Sequence, residues 1–170
     1  NINPEEIERK ITKNTRAIVV THMYGCPARM DKIISIAKKN KIPVIEDSAQ
    51  AFGASYFGKK VGTFGIASAF SLQENKLLYG GEGGFLLTNN REIYERSILL
   101  GHSGKRAKKE VFSDERSFAE IGYGEKYRIH PLSAEIARIQ LKYVDKLLKQ
   151  TKENMLLLND VLSSISSVEL

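Results

Sequence analysis

Two short β-branched runs on either side of a one-sided helix constrain this chain more than any other feature. Ala17 to Thr21 reads AIVVT and Pro43 to Glu46 reads PVIE. Continuous apolar runs of this length predict buried strands. Between them Met30, Ile33, Ile34 and Ala37 recur at helical spacing, which predicts a helix with one apolar stripe that stops near Asn40. Parallel strands need a crossover of about a dozen residues or more, usually a helix. Strand, helix and strand in units of this size predict an α/β layer with a largely parallel sheet and flanking helices.

The remaining segments extend that layer. Asn3-Pro4-Glu5-Glu6 opens a helix: Asn3 caps, Pro4 takes the first helical position, and Glu6 falls where a capping box needs it. Ala67 to Leu72 and Phe85 to Thr88 predict two more strands, and a helix is predicted from Arg91 to Leu100. Gly101 to Pro131 is rich in charge and glycine and poor in apolar residues, so a long loop region is expected there. After Pro131, Leu132, Ile136, Ile139 and Val144 mark one helical stripe, taken as core or subunit contact, and Met155 to Leu162 continue in the same style. Residues 1–132 are assigned to one domain and residues 133–170 to the start of a second, smaller one. The chain begins at Asn1 rather than Met and ends in a helix-like run, so it is expected to be part of a longer protein.

Composition narrows the function classes. Hydrophobic residues at 42% and charged residues at 27% give an ordinary globular balance. No apolar run approaches the roughly 20 residues of a membrane span, and no secretory leader is visible. Cys26 is the one cysteine, which rules out an internal disulfide and a cysteine-based zinc site and fits a cytoplasmic setting. Flanked by Gly25 and Pro27, Cys26 is predicted to be a small buried filler. His22, His102 and His130 lack ligand spacing, so no metal site is expected. The net charge is +6, and GKRAKKE, Gly104 to Glu110, is the densest basic run. It reads as a solvated loop, with a nucleotide diphosphate as the alternative contact. No recognition helix or aromatic platform accompanies it, so nucleic acid is not the expected partner.

The chemistry centres on FSLQENKLLYGGEGG, Phe70 to Gly84, where one lysine stands between a strand and a glycine cluster. Open parallel sheets bind ligands at the carboxyl ends of their strands. Asp47 ends one predicted strand, with Gln50 three residues on; Ser71 and Lys76 follow a later strand. An acid, an amide, a hydroxyl and an amine thus fall at one sheet edge. These are the groups a pyridoxal phosphate site needs: an amine for the aldehyde, a carboxylate for the pyridine nitrogen, and a hydroxyl for the phosphate. Glycines let backbone pass close to a bulky cofactor. Each residue alone has a plainer reading. Lys76 alone reads as a solvated loop residue, Asp47 as a helix cap, and Gly80, Gly81, Gly83 and Gly84 as a tight turn.

Beyond spacing, EDSAQAFGASYFGKKVGTFGIASAFSLQENKLLYGGEGGFLLTNN, Glu46 to Asn90, resembles the core motif block of the DegT-type sugar aminotransferases, a fold-type-I pyridoxal-phosphate family. THMYGCPARMDKI upstream and GYGEKYRIHPLSAEIARIQL downstream resemble that family's flanking segments, in the same order. The resemblance implies that Lys76 is the Schiff-base lysine, Asp47 the pyridinium partner, Gln50 a contact to the cofactor ring and Ser71 a phosphate-binding serine. It also implies a homodimer with shared active sites, in which the segment of Lys126 and Arg128 reaches the neighbouring subunit's site. Many members carry Asn where this chain has Lys126, and Phe52 replaces a common histidine. His22 and Tyr24 match the family pattern without an assigned role.

The implied reaction moves an amino group from glutamate or glutamine to a keto-sugar, most naturally nucleotide-linked. A branch acting on keto-cyclitols or making aminobenzoate precursors shares a glutamine-containing motif similar to FSLQENK and is the alternative. Relatives that dehydrate sugars replace the lysine, typically by histidine, so Lys76 favours transamination. Family chains run to roughly twice this length, in line with two domains of ordinary size. The reading from another class is a non-catalytic binding protein on the same fold; the intact set Lys76, Asp47 and Gln50 argues against it.

Overall fold

A computed structural model of the chain describes residues 1–102, 104–165 and 167. Its sheet is built from β1 (Ile18–Thr21), β2 (Val44–Asp47), β5 (Ala67–Ser71) and β6 (Gly84–Thr88), in the order β1-β2-β5-β6; β3 (Ser55–Tyr56) and β4 (Lys59–Lys60) form a separate hairpin. β1 and β2 are parallel, with Ile18 opposite Val44 and Thr21 opposite Asp47. β2 and β5 are also parallel, with Asp47 opposite Ala69. β6 runs antiparallel to β5, pairing Ser71 with Gly84. The sheet is therefore mostly parallel, with one antiparallel edge.

The strands and helices lie close to where periodicity placed them. α1 (Pro4–Lys10) begins at Asn3, whose side chain accepts from the Glu5 amide at 3.1 Å. The expected capping box does not form, because Glu6 pairs with Arg9 one turn on. α2 (Met30–Asn40) returns the chain between the two parallel strands and buries Met30, Ile33 and Ala37 in one cluster with Ile18, Val20 and Val44. That covers one face of β1. The strand was expected to be wholly buried, but Val19 is 59% exposed, since alternate side chains point to the sheet's other face.

The largest departure lies in the segment 101–131. α3 (Arg91–Gly101) ends where the loop was expected to begin, yet the chain folds again into α4 (Lys105–Glu110) and a 3-10 turn at Asp114–Phe118. The apolar residues there are few but well spaced: Ala107, Val111 and Ala119 are buried against Ile98 and Leu99 of α3. The basic run is thus a helix rather than a loop, with Arg106 paired to Glu110 and Lys108 to Glu120. α5 (Pro131–Leu141) and α6 (Val144–Ser163) follow. The predicted stripe is largely uncovered: Val144 is buried, whereas Leu132, Ile136 and Ile139 are exposed. No helix among the described residues is long and apolar enough to cross a membrane.

Candidate active site

Parallel β1 and β2 end side by side, which brings Thr21 level with Asp47. The Asp47 carboxylate accepts from the Ala49 amide at 3.1 Å and from the Thr21 hydroxyl at 3.4 Å. The turn after β2 then presents Gln50, whose amide oxygen accepts from the Tyr24 backbone N–H at 2.7 Å. Tyr24 sits in the loop after β1 with φ 53°, in the left-handed region.

Lys76 lies on the excursion between β5 and β6. Ser71 ends β5, and its hydroxyl accepts from the Gln73 amide at 3.2 Å. The Lys76 amide in turn donates to Gln73 O at 2.9 Å. Bonds from Leu72 N to Gly83 O and from Gly80 N to Leu72 O close the neck of the excursion. The glycine cluster makes that closure possible. A Cβ on Gly80 would fall 2.5 Å from Ser133 O of α5, and one on Gly84 would fall 2.5 Å from Phe70 O. One close approach is to helix α5 and the other to the paired strand β5, so these two glycines serve packing between elements rather than the tight turn expected of the cluster.

A cavity of about 520 Å³ joins these elements. Tyr24, Gln50, Phe52 and Lys76 line it, with Leu148 and Thr151 of α6. Its size suits a small cofactor. Lys76 is half-buried there. Asp47 and Ser71 end the neighbouring strands β2 and β5, with Asp47 paired two residues before Ser71, but neither lines the cavity. Phe52 stands edge-on to Phe70 and Phe85, with ring centroids 5.9 and 6.5 Å apart. Lys126 and Arg128 are exposed and form no part of the cavity's lining. Burial, with the charges of Arg106 and Arg128, pushes His102 below the ordinary imidazole range; a Cβ on Gly101 would fall 3.8 Å from the Tyr127 carbonyl carbon, so the backbone leading into Arg128 packs on the end of α3. A mainly aliphatic groove of about 350 Å³ between α1 and β1 gathers no comparable set of groups.

Sequence reasoning missed three contributors: Thr21, the Tyr24 amide, and a buried pair formed by His22 and Glu46. His22 Nε2 lies 3.2 Å from Glu46 Oε2, and both side chains are fully buried. Glu46 also accepts from the amides of Gly62, Phe64 and Gly65, each at 2.7 Å. Burial raises the Glu46 pKa, but the His22 bond and the three amides outweigh it and hold the carboxyl below its ordinary range. The signal was present in VIED, where a glutamate occupies the inward register two residues after buried Val44. Cys26, expected to be buried, is exposed on the loop that follows Tyr24. Among the described residues no three His, Cys, Asp or Glu side chains gather as a metal-binding group.

The sequence model of the DegT/DnrJ/EryC1/StrS aminotransferase family matches residues 1–170. GDP-perosamine synthase of Escherichia coli O157:H7 is 39% identical over 148 residues, 87% of this chain and 39% of that protein. L-glutamine:2-deoxy-scyllo-inosose aminotransferase of Micromonospora echinospora is 43% identical over 104 residues, 61% of this chain and 25% of that protein. Among solved structures, 3-amino-5-hydroxybenzoic acid synthase superposes with a TM-score of 0.83 at 32% identity, over 98% of this chain and 42% of that one. E. coli GDP-4-keto-6-deoxy-D-mannose-3-dehydratase with bound hydrated PLP superposes with a TM-score of 0.79 at 28% identity, over 91% of this chain and 42% of that one. The chain spans between a quarter and about two-fifths of the length of these proteins.

Proposed function

Because the chain belongs to the DegT/DnrJ/EryC1/StrS aminotransferase family, we propose that the protein is a pyridoxal-phosphate-dependent aminotransferase acting on a keto-sugar, most directly a nucleotide-linked one. The observation that carries this is Lys76 and Gln50 on one cavity, whose lining also takes in Ala49, two residues after strand-ending Asp47. The donor set fits the cofactor: one amine for its aldehyde, one carboxylate for its ring nitrogen, and an amide and a hydroxyl for ring and phosphate. When bound, pyridoxal phosphate supplies an aldehyde that carries the amino group and a ring that draws electrons from the substrate carbon.

The chain's own residues supply the rest. Lys76 Nζ would hold the cofactor's aldehyde carbon and, as a free amine, would take the proton from the substrate carbon and return it one position away. Asp47, oriented by Thr21 and Ala49, keeps the ring nitrogen protonated. Gln50 would contact the ring and Ser71 the phosphate. Glutamate or glutamine gives up its amino group and leaves as a keto acid, and the second half runs in reverse on the acceptor's keto carbon. Ping-pong kinetics follow. Residues 1–132 belong to the cofactor-binding domain and residues 133–170 begin the smaller one. The working unit is a cytoplasmic homodimer in which Lys126 and Arg128 serve the partner's site, with no nucleic-acid or membrane partner.

A keto-cyclitol acceptor is the second reading, favoured by the 43% identity to the scyllo-inosose enzyme. Two experiments test these readings. The full-length protein is incubated with pyridoxal phosphate, reduced with borohydride and digested, and the modified lysine is located by mass spectrometry. A label on Lys76 supports the activity, and no label in a folded protein overturns it. Parallel assays with keto-sugar nucleotides and with scyllo-inosose then decide the acceptor class.

A further inference from the structure

The buried pair His22 and Glu46 takes no part in the chemistry above, yet it sits directly beneath it. Glu46 and Asp47 are consecutive on β2 and point to opposite faces of the sheet. On the inner face the Glu46 carboxylate receives the Gly62, Phe64 and Gly65 amides and the His22 ring. The ring's other nitrogen, Nδ1, accepts from the Ala28 amide at 3.1 Å. An N–H pointed at Nδ1 leaves the ring proton on Nε2, where it donates to Glu46. The His22 backbone adds a third tie, donating to Asp47 O at 3.1 Å.

These bonds bracket the loop from His22 to Ala28. Its start is tied to β2 and its end to the His22 ring, so the loop is a closed arc over the carboxyl end of β2. At its crest Tyr24 carries a left-handed backbone and donates its N–H to Gln50 Oε1 at 2.7 Å. A Gln50 whose amide oxygen is engaged offers its NH₂ group to whatever enters the cavity.

We propose that His22 is a positioning residue: its ring, clamped between Glu46 and the Ala28 amide, holds the Tyr24 N–H against Gln50 and thereby presents Gln50 to the ligand as a donor. That the ligand is pyridoxal phosphate rests on the function proposed above; the positioning is a property of the loop alone. The group of the ligand that Gln50 meets is therefore a hydrogen-bond acceptor.

The test uses the full-length protein and two readouts: amide hydrogen exchange resolved at Tyr24, and equilibrium binding of pyridoxal phosphate. In the wild type the Tyr24 amide, bonded to Gln50 Oε1, is expected to be protected. His22→Phe keeps an aromatic ring but removes both ring bonds; Tyr24 exchange is expected to rise by about tenfold or more, with a similar loss of cofactor affinity. His22→Asn keeps an acceptor for the Ala28 amide and is expected to recover part of both. Gln50→Glu keeps an oxygen for Tyr24 but loses the donor, so protection should persist while affinity falls by about tenfold. Gln50→Ala should expose the Tyr24 amide without altering His22, and His22→Asn, which loses the Glu46 bond geometry, carries the test if His22→Phe does not fold. Unchanged Tyr24 exchange in a folded His22→Phe, in His22→Asn where it stands in, or in Gln50→Ala overturns the proposal, as does undiminished affinity in Gln50→Glu. The exchange readout needs no cofactor. A protein that takes up no pyridoxal phosphate would thus sink the aminotransferase reading while the Tyr24 data still decide the role of His22.

Discussion

Adjacent residues carry opposite duties at the end of β2: Asp47 lies half-buried at the strand's carboxyl end, held by Ala49 and Thr21, and Glu46 faces the interior as the acceptor of four hydrogen bonds. An amide at position 46 would turn an NH₂ group towards donors that need an acceptor. Glu46→Gln is therefore expected to destabilise the fold by about 2–3 kcal/mol, the cost of buried donors left unpaired. Thermal or urea unfolding of the folded variant measures it, and a change within about 0.5 kcal/mol would show that the network is not held as described. Thr21→Val is milder. It removes one long bond to Asp47 and keeps the side chain's shape, so stability should hold while pyridoxal phosphate affinity drops about three- to tenfold. At this scale, what was legible in the sequence is what is local. Lys76, Gln50 and Asp47 stand in one contiguous stretch whose residue types announce a chemistry. Thr21, His22 and the Tyr24 amide act on residues more than twenty positions away, and only the parallel register of β1 and β2 brings them there.

The crossover from β1 through α2 to β2 was readable because its period and length admit one solution, and α2 falls on the expected residues, Met30–Asn40. The α3–α4 region was not readable, because its stability comes from side chains that meet across the chain rather than from apolar density. Glu95 is the pivot. It is almost fully buried on α3, pairs with Arg91 and accepts from the Ser113 amide at 3.0 Å. Hydrogen bonds from Ser113 and then Arg91 lower its pKa from the usual 4.5 to about 2. A carboxyl whose folded pKa is depressed stabilises the fold fully above its unfolded pKa and loses that contribution as pH falls through the folded value. Between about pH 4.5 and 2 the segment 105–118 should therefore loosen in the wild type. In Glu95→Gln it should be looser already at neutral pH and should change less across the same window. Hydrogen exchange of peptides from 105–118, compared between the two proteins across that range, reads the difference directly. Equal slopes would assign the acid sensitivity to other carboxyls.

At the scale of the molecule, the described chain leaves apolar surface on several elements at once: Val19 on β1, Leu86 and Leu87 on β6, Ile136 and Ile139 on α5, and Met155 to Leu158 on α6. Exposure this broad is a sign of surface that functions covered. The faces of α5 and α6 were legible as apolar stripes, with core and subunit contact both open, since periodicity locates an apolar face but does not name what packs on it; the exposed residues of β1 and β6 were not. The placement of Arg128 adds a sharper point. It follows Tyr127, whose backbone packs on the end of α3, and lies outside the cavity that holds Lys76, which agrees with the proposal that it serves another subunit's site. In the proposed two-fold dimer there would be two sites, each drawing Lys76 from one chain and Arg128 from the other. Lys76→Ala and Arg128→Ala should each inactivate the full-length enzyme. Co-expressed in equal amounts, they form heterodimers in which one site has both residues intact and the other has neither, so activity should return to about a quarter of the wild-type level. Recovery to that level establishes the shared site, and with it Arg128 as a residue acting across the interface. Activity no higher than either variant alone, in a dimer confirmed by sedimentation, would place Arg128 on its own subunit's chemistry and require the segment 122–130 to move to reach it.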